Sequence, residues 1–74
     1  MTPDEKLVYM ANQIADYFAA QGEERAVKGV ADHLQKFWEP HMRVRLLELA
    51  ARDSAKLKPL TRKALPLLTV PAAS

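Results

Sequence analysis

The 74-residue chain has no cysteine, two glycines and two histidines. The absence of cysteine excludes disulfide bonds and thiolate metal sites, and two histidines alone make a zinc or haem site a poor interpretation. A chain this short buries only about 60% of the surface that its unfolded form exposes, so its stability is marginal. Without disulfides or metals, we expect it to depend on close helix packing or on association with another chain.

Long hydrophobic runs are also absent. The longest uncharged stretch is 64–74, eleven residues that are interrupted by Pro66 and Pro71, whereas a membrane span needs about 20 apolar residues. The chain opens with the acidic sequence Met1-Thr2-Pro3-Asp4-Glu5, which is unlike the basic start of a secretory signal. We therefore expect a soluble, cytoplasmic protein.

The net charge of +2 is small and unevenly distributed. Residues 1–37 contain four Lys or Arg against six Asp or Glu, a balance of −2, and residues 38–74 contain seven against three, a balance of +4. Only the second half could therefore bind a phosphate backbone.

Helix-forming residues dominate, and no run alternates apolar and polar residues as a strand requires. We predict an all-α fold, a small bundle of three main helices with a short fourth helix at the C-terminal end. Thr2 and Glu5 predict a capping box, Gly22 ends the first helix, and the next two helices cover about 23–38 and 40–53. The fourth begins at Lys58-Pro59, and Pro66 kinks or ends it. Residues 1–68 form one predicted domain, and 69–74 a frayed tail.

Each predicted helix has an apolar stripe at spacings of three and four residues. The stripe of the first helix comprises Leu7, Met10, Ala11, Ile14, Tyr17 and Phe18, and that of the second comprises Val27, Val30, Ala31, Leu34, Phe37 and Trp38. The third comprises Met42, Leu46, Leu49 and Ala50, and the fourth Leu60, Ala64, Leu65 and Leu68. Gly29 lies within the second helix, where it costs about 1 kcal/mol relative to alanine. A close helix crossing would offset that cost.

Residues that could perform catalysis are few. No serine, histidine and acid occur at a spacing typical of a nucleophilic site. His33 and His41 are eight residues apart with Pro40 between them, so they do not share a helical face, and no third ligand stands at a suitable spacing. We predict no catalytic, cofactor-binding or metal site in this chain, which is therefore not an enzyme by itself.

The most distinctive segment is the corner between the second and third helices. Here Phe37, Trp38, Pro40, Met42 and Arg43 are candidate partner-binding residues, because tryptophan, methionine and arginine are favoured at interfaces. Adjacent helical residues point about 100° apart, so Phe37 and Trp38 cannot both face one neighbour. In one interpretation Phe37 is buried and Trp38 covers the corner. In the other, Trp38 and Met42 lie at the edge of a partner-binding patch.

Several segments together resemble a known family. They are Met10-Ala11-Asn12-Gln13-Ile14, the pair Tyr17-Phe18, Val30-Ala31-Asp32-His33-Leu34, and Phe37-Trp38-Glu39-Pro40-His41-Met42-Arg43. Over residues 4 to about 47 the chain resembles the delta subunit of cytoplasmic NAD-dependent, molybdenum-containing formate dehydrogenases. The Phe-Trp-acid-Pro-x-Met-Arg corner is the most specific part. His41 departs from the pattern, in which an arginine is expected.

The resemblance implies an accessory role. The chain would bind the large catalytic subunit of a formate dehydrogenase, and would stabilise the complex or hold that subunit ready for cofactor insertion. Molybdopterin, iron–sulfur clusters and flavin are expected in partner subunits, which oxidise formate to carbon dioxide and pass the electrons to NAD.

Two alternatives come from the residues themselves. The third helix could bind DNA through Arg43, Arg45 and Arg52, although Arg43 and Arg45 point about 200° apart on a helix. The isolated chain could also form a homodimer, since a surface made for a partner can pair with itself.

Overall fold

The computed structural model describes residues 2–53 and 56–69. In this part of the chain the helices are α1 (Pro3–Phe18), α2 (Glu23–Phe37), α3 (Pro40–Arg52) and α4 (Pro59–Ala64), and no strand is present. A 3₁₀ turn follows α1 at Ala19–Gln21, and another follows α4 at Leu65–Leu67. The predicted all-α fold is therefore confirmed. Residues 70–74 of the predicted tail lie outside the described residues.

The helix boundaries follow local chemistry. At the start of α1 the Glu5 amide donates to the Thr2 hydroxyl at 3.2 Å, and the Thr2 amide donates to the Glu5 carboxylate at 3.1 Å, which is the predicted capping box. Proline occupies the first position of α1, α3 and α4, where its missing N–H costs nothing. Gly22 has a φ of +91° between the first 3₁₀ turn and α2, a conformation that side chains disfavour.

The core is formed by small and aliphatic side chains, together with the ring of Trp38. Its buried members are Ala11, Ala15, Val30, Ala31, Leu34, Trp38, Leu46, Leu57, Ala64 and Leu65. Helix α2 packs against both α1 and α4, and α3 packs mainly against α1. The predicted inward positions of α4 are confirmed: Ala64 and Leu65 are buried, and Leu60 and Leu68 pack against the core.

Two aromatic residues that were predicted to lie on inward stripes are exposed. Tyr17 is 78% exposed and Phe37 is 72% exposed, so their predicted burial is wrong. In α1 the buried line runs through Ala11 and Ala15, which are four residues apart, and Tyr17 falls outside it.

Gly29 lies at a close helix contact. A Cβ atom at this position would be 2.6 Å from Cδ1 and 2.8 Å from Cε1 of the Phe18 ring. The close crossing that would offset the cost of a mid-helix glycine is therefore present, and it brings α1 against α2.

The Asn12 side chain connects α1 to the segment before α4. Its amide nitrogen donates to the Lys56 carbonyl at 3.0 Å. Its amide oxygen accepts from the Lys58 backbone N–H at 2.9 Å and from the Thr61 hydroxyl at 3.0 Å. Lys58 also pairs with Asp16 on α1, with N–O distances of 2.6 and 2.7 Å. These contacts position α4 beside α1 and α2.

Candidate partner-binding surface

The corner between α2 and α3 is formed by two residues with extended backbone. Trp38 has φ −88° and ψ 140°, and Glu39 has φ −69° and ψ 153°. The Trp38 side chain is only 6% exposed and belongs to the core. It follows Leu34 by four residues, on the buried side of α2, whereas Phe37 follows His33 on the outer side. The interpretation that placed Trp38 at the edge of a patch is therefore wrong, and so is the burial of Phe37 in the other interpretation.

Arg43 connects the start of α3 to the end of α2. Its Nη1 donates to the Trp38 carbonyl at 2.5 Å and to the Gln35 carbonyl at 3.3 Å. Carbonyls at a helix C-terminus have no partner within the helix and attract positive charge. Arg43 is 7% exposed, and its Nε has no hydrogen-bond partner among the described residues. Trp38 and Arg43 therefore stabilise the corner from within.

Four rings form a continuous row over α1 and α2. The ring centroids of Tyr17 and Phe18 are 5.1 Å apart, those of Phe18 and His33 are 6.4 Å apart, and those of His33 and Phe37 are 4.8 Å apart. We call this row, Tyr17, Phe18, His33 and Phe37, the aromatic face. Its two ends are largely exposed, while Phe18 and His33 are half-buried.

Two depressions lie along the same side of α1. One, of about 300 Å³, is lined by Ile14, Tyr17, Phe18 and His33. The other, of about 420 Å³, is lined by Pro3, Asp4, Lys6, Leu7, Met10, His41, Met42 and Arg45. Met10, Ile14 and Phe18 follow one another at intervals of four residues, so the two depressions share one ridge of α1.

The predicted partner-binding residues thus fall into two groups. Phe37 and Pro40 are exposed and Met42 is half-buried in the wall of the second depression, whereas Trp38 and Arg43 are buried. Sequence reasoning did not select the other three members of the aromatic face, Tyr17, Phe18 and His33, as binding candidates. The spacing of four residues between His33 and Phe37 was the available signal, because it places both rings on one side of α2.

Arg45 forms the main ion pair beside the second depression. Its Nε donates to Asp4 Oδ1 at 3.0 Å and its Nη2 donates to Asp4 Oδ2 at 2.8 Å, while Nη1 contacts Glu48 at 3.3 Å. The hydrogen bonds from Arg45 hold the pKa of Asp4 below its ordinary value of 3.8. Hydrogen bonds to Asp4 and Glu48 in turn raise the pKa of Arg45. This bidentate pair ties the start of α1 to α3.

The structure gives the DNA-binding alternative no support. Of its three arginines, Arg43 is buried against carbonyls, Arg45 is paired with two carboxylates, and Arg52 is exposed. The two histidines have separate surroundings, since His33 stacks with rings and His41 contacts Glu39 at 3.3 Å. Within 2–53 and 56–69, no three His, Asp or Glu side chains are arranged to hold a metal ion.

Comparisons with known proteins assign a family. A search of curated proteins and a search of solved structures both gave no significant match. In the part of the chain that the structure describes, no helix has the length and apolar character needed to cross a membrane. The family model of the NADH-dependent formate dehydrogenase delta subunit, FdsD, matches residues 6–65. This range contains the α2–α3 corner, the Asn12 contacts and the aromatic face, and the chain therefore belongs to the formate dehydrogenase delta subunit family.

Proposed function

We propose that this chain is a non-catalytic accessory subunit that binds the catalytic subunit of a cytoplasmic NAD-dependent formate dehydrogenase and stabilises it. The family match supports a place in a multi-subunit complex. The observation that carries the proposal is Phe37, whose ring is 72% exposed directly beside the buried Trp38. Large aromatic side chains that are held rigidly at a surface are typical centres of protein interfaces.

In this proposal the corner residues have different roles. Phe37, Pro40 and Met42 contact the catalytic subunit, while Trp38 and Arg43 hold the corner in the required conformation. The molybdopterin, iron–sulfur and flavin groups belong to partner subunits, and formate oxidation takes place there. The binding energy of this chain stabilises the assembled state and therefore raises the stability of the bound catalytic subunit.

The test compares complexes that are expressed with and without this chain. We expect the wild-type chain to co-purify with the catalytic subunit and to raise its melting temperature. The double variant Phe37→Ala/Met42→Ala should be captured at least about tenfold less, as for loss of an interface hot spot. Tyr9→Ala is the control, because Tyr9 is an exposed aromatic ring like Phe37 but lies on α1 outside the aromatic face.

Stabilisation and maturation are separated by the order of addition. If the chain stabilises the mature complex, adding it after purification restores the melting temperature and formate oxidation. If it acts in cofactor insertion, recovery occurs only when it is present during expression. A catalytic subunit that neither retains the wild-type chain nor changes in stability or activity with it would contradict the proposal.

A further inference from the structure

The surface around the aromatic face is asymmetric in charge. Helix α2 runs back along α1, because Phe18 near the end of α1 packs on Gly29 and His33, while the start of α1 lies beside His41 and Met42. On α1, the exposed Lys6 lies four residues before Met10, and on α2 the exposed Arg25 lies four residues before Gly29. One exposed cation therefore lies near each end of the face.

These two cations are free of the ion pairs that neutralise their neighbours. Glu24, the residue before Arg25, pairs with Lys28 at 3.7 Å, and Asp32 further along α2 pairs with Lys36 at 3.1 Å. At the corner, Glu39 contacts His41 at 3.3 Å. Asp4 is held by Arg45. Lys6 and Arg25 form no ion pair with residues 2–53 or 56–69. Lys6 and Arg25 are thus unpaired cations at the border of the face, where Glu39 is a carboxylate without a lysine or arginine partner among the described residues.

We infer that the aromatic face and its two depressions are the docking surface for an apolar region of the catalytic subunit that is bordered by acidic side chains. This inference rests on the proposed function and adds to it the location and chemistry of the contact. From Lys6 to Phe18 the ridge is about 18 Å long, at 1.5 Å per residue. Exposed rings at the centre and charges at the border correspond to the apolar core and polar rim of a protein interface.

Charge favours this occupant over a second copy of the chain. Two copies that pair face to face would bring four of these cations together with only two Glu39 carboxylates, and such an excess of like charge at an interface is unfavourable. An acidic border on the partner would instead pair with both cations. The two depressions along the α1 ridge provide recesses for apolar side chains of that partner.

The experiment measures the dissociation constant between the full chain and the purified catalytic subunit at low and high salt. Phe37→Ala and Tyr17→Ala should each weaken binding at least about tenfold at both salt concentrations. Lys6→Glu and Arg25→Glu should each weaken it about three- to tenfold at low salt, and the effect should shrink at high salt. The controls are Arg62→Glu, which makes the same charge change at an exposed position of α4, and Tyr9→Ala, and both should bind as wild type.

The outcomes separate the two proposals. If the wild-type chain does not bind the catalytic subunit, the proposed function fails. If wild type binds and the face variants, still folded by circular dichroism, bind equally well, only the docking surface is wrong. If the aromatic variants weaken binding and the charge reversals do not, the acidic border is excluded. If Phe37→Ala abolishes a homodimer of this chain but leaves binding to the catalytic subunit unchanged, the face serves a second copy.

Discussion

Gly29 is the residue at which side-chain packing and helix propensity oppose each other. Alanine is favoured over glycine within a helix by about 1 kcal/mol. The ring of Phe18, however, occupies the space into which the alanine methyl would project, with Cγ at 3.1 Å and Cδ1 at 2.6 Å from it. Because Cγ is close to the backbone, the ring cannot move away by rotating its outer atoms alone. The glycine is therefore explained by the position of Phe18.

We predict that Gly29→Ala destabilises the protein by about 1 kcal/mol, because overpacking costs about 1–3 kcal/mol and outweighs the gain in helix propensity. Urea unfolding monitored by circular dichroism measures this difference. In a Phe18→Ala background the same substitution should instead stabilise, by up to about 1 kcal/mol. A stabilising Gly29→Ala in the otherwise wild-type chain would show that the ring yields at little cost.

The corner shows what could be read from single residues in the sequence and what could not. Its composition marked Phe37–Arg43 as unusual, and the structure places a tightly held turn there. Which of two adjacent rings is buried depends on where α2 ends, because Trp38 adopts extended backbone directly after the last helical residue. Arg43 was predicted to be an interface residue, yet its guanidinium donates hydrogen bonds to the carbonyls of residues five and eight positions earlier. Composition alone does not distinguish these uses of arginine.

At the scale of helices, the short α4 depends on contacts made by α1. A six-residue helix is too short to be stable by itself. Asn12 satisfies the backbone of Lys56 and Lys58 immediately before the helix and the hydroxyl of the fully buried Thr61 within it. Ala64 and Leu65 then complete the attachment in the core. Asn12 thus fixes the position of α4 relative to the hairpin of α1 and α2.

We predict that Asn12→Ala destabilises the protein by about 3 kcal/mol, because three hydrogen bonds of roughly 1 kcal/mol each are lost. Amide hydrogen exchange should accelerate first in α4 and in residues 56–58. Gln13→Ala is the matched control, since among the described residues the Gln13 side chain donates only to the Tyr9 hydroxyl, within the same helix. Equal stability of the two variants would contradict a role for Asn12 in attaching α4.

Helix boundaries could be predicted because they depend on local signals. Thr2, Pro40 and Pro59 mark starts that the structure confirms, and the predicted ends lie within a few residues of the observed ones. The contacts between helices depend on residues far apart in the chain. Asn12 and Thr61 are 49 positions apart, and Leu57 is a core residue between two helices. No periodicity identifies such residues, so the docking of α4 required the structure, whereas the spacing of His33 and Phe37 was a signal for one part of the aromatic face.

In the whole molecule, ion pairs join parts of the chain that are about forty residues apart. Asp4 pairs with Arg45, Asp16 with Lys58, and Glu23 with Lys63. An exposed pair contributes little on average, but these three connect α1 to α3, α1 to the start of α4, and α2 to α4. The Asp4–Arg45 pair has the bidentate geometry that gives the strongest contacts. For a chain with a small core, such connections make stability sensitive to acid.

We predict that stability falls as the pH drops through the range in which Asp4 and Glu5 are protonated. Folding lowers the pKa of Asp4 below 3.8 through its hydrogen bonds with Arg45, and that of Glu5 below 4.5 through the hydrogen bonds with Thr2. A carboxylate whose pKa is lowered in the folded state stabilises it above the unfolded pKa, and this contribution is lost as the pH falls through the folded value. Urea midpoints of wild type and Asp4→Asn should therefore differ at pH 7, and the difference should shrink as the pH falls below 3.8. Glu24→Gln, which removes a pair of 3.7 Å within one helix, should show a smaller difference at pH 7. A gap between wild type and Asp4→Asn that stays constant from pH 7 to pH 2.5 would show that the ionised Asp4 carboxylate does not stabilise the contact between α1 and α3.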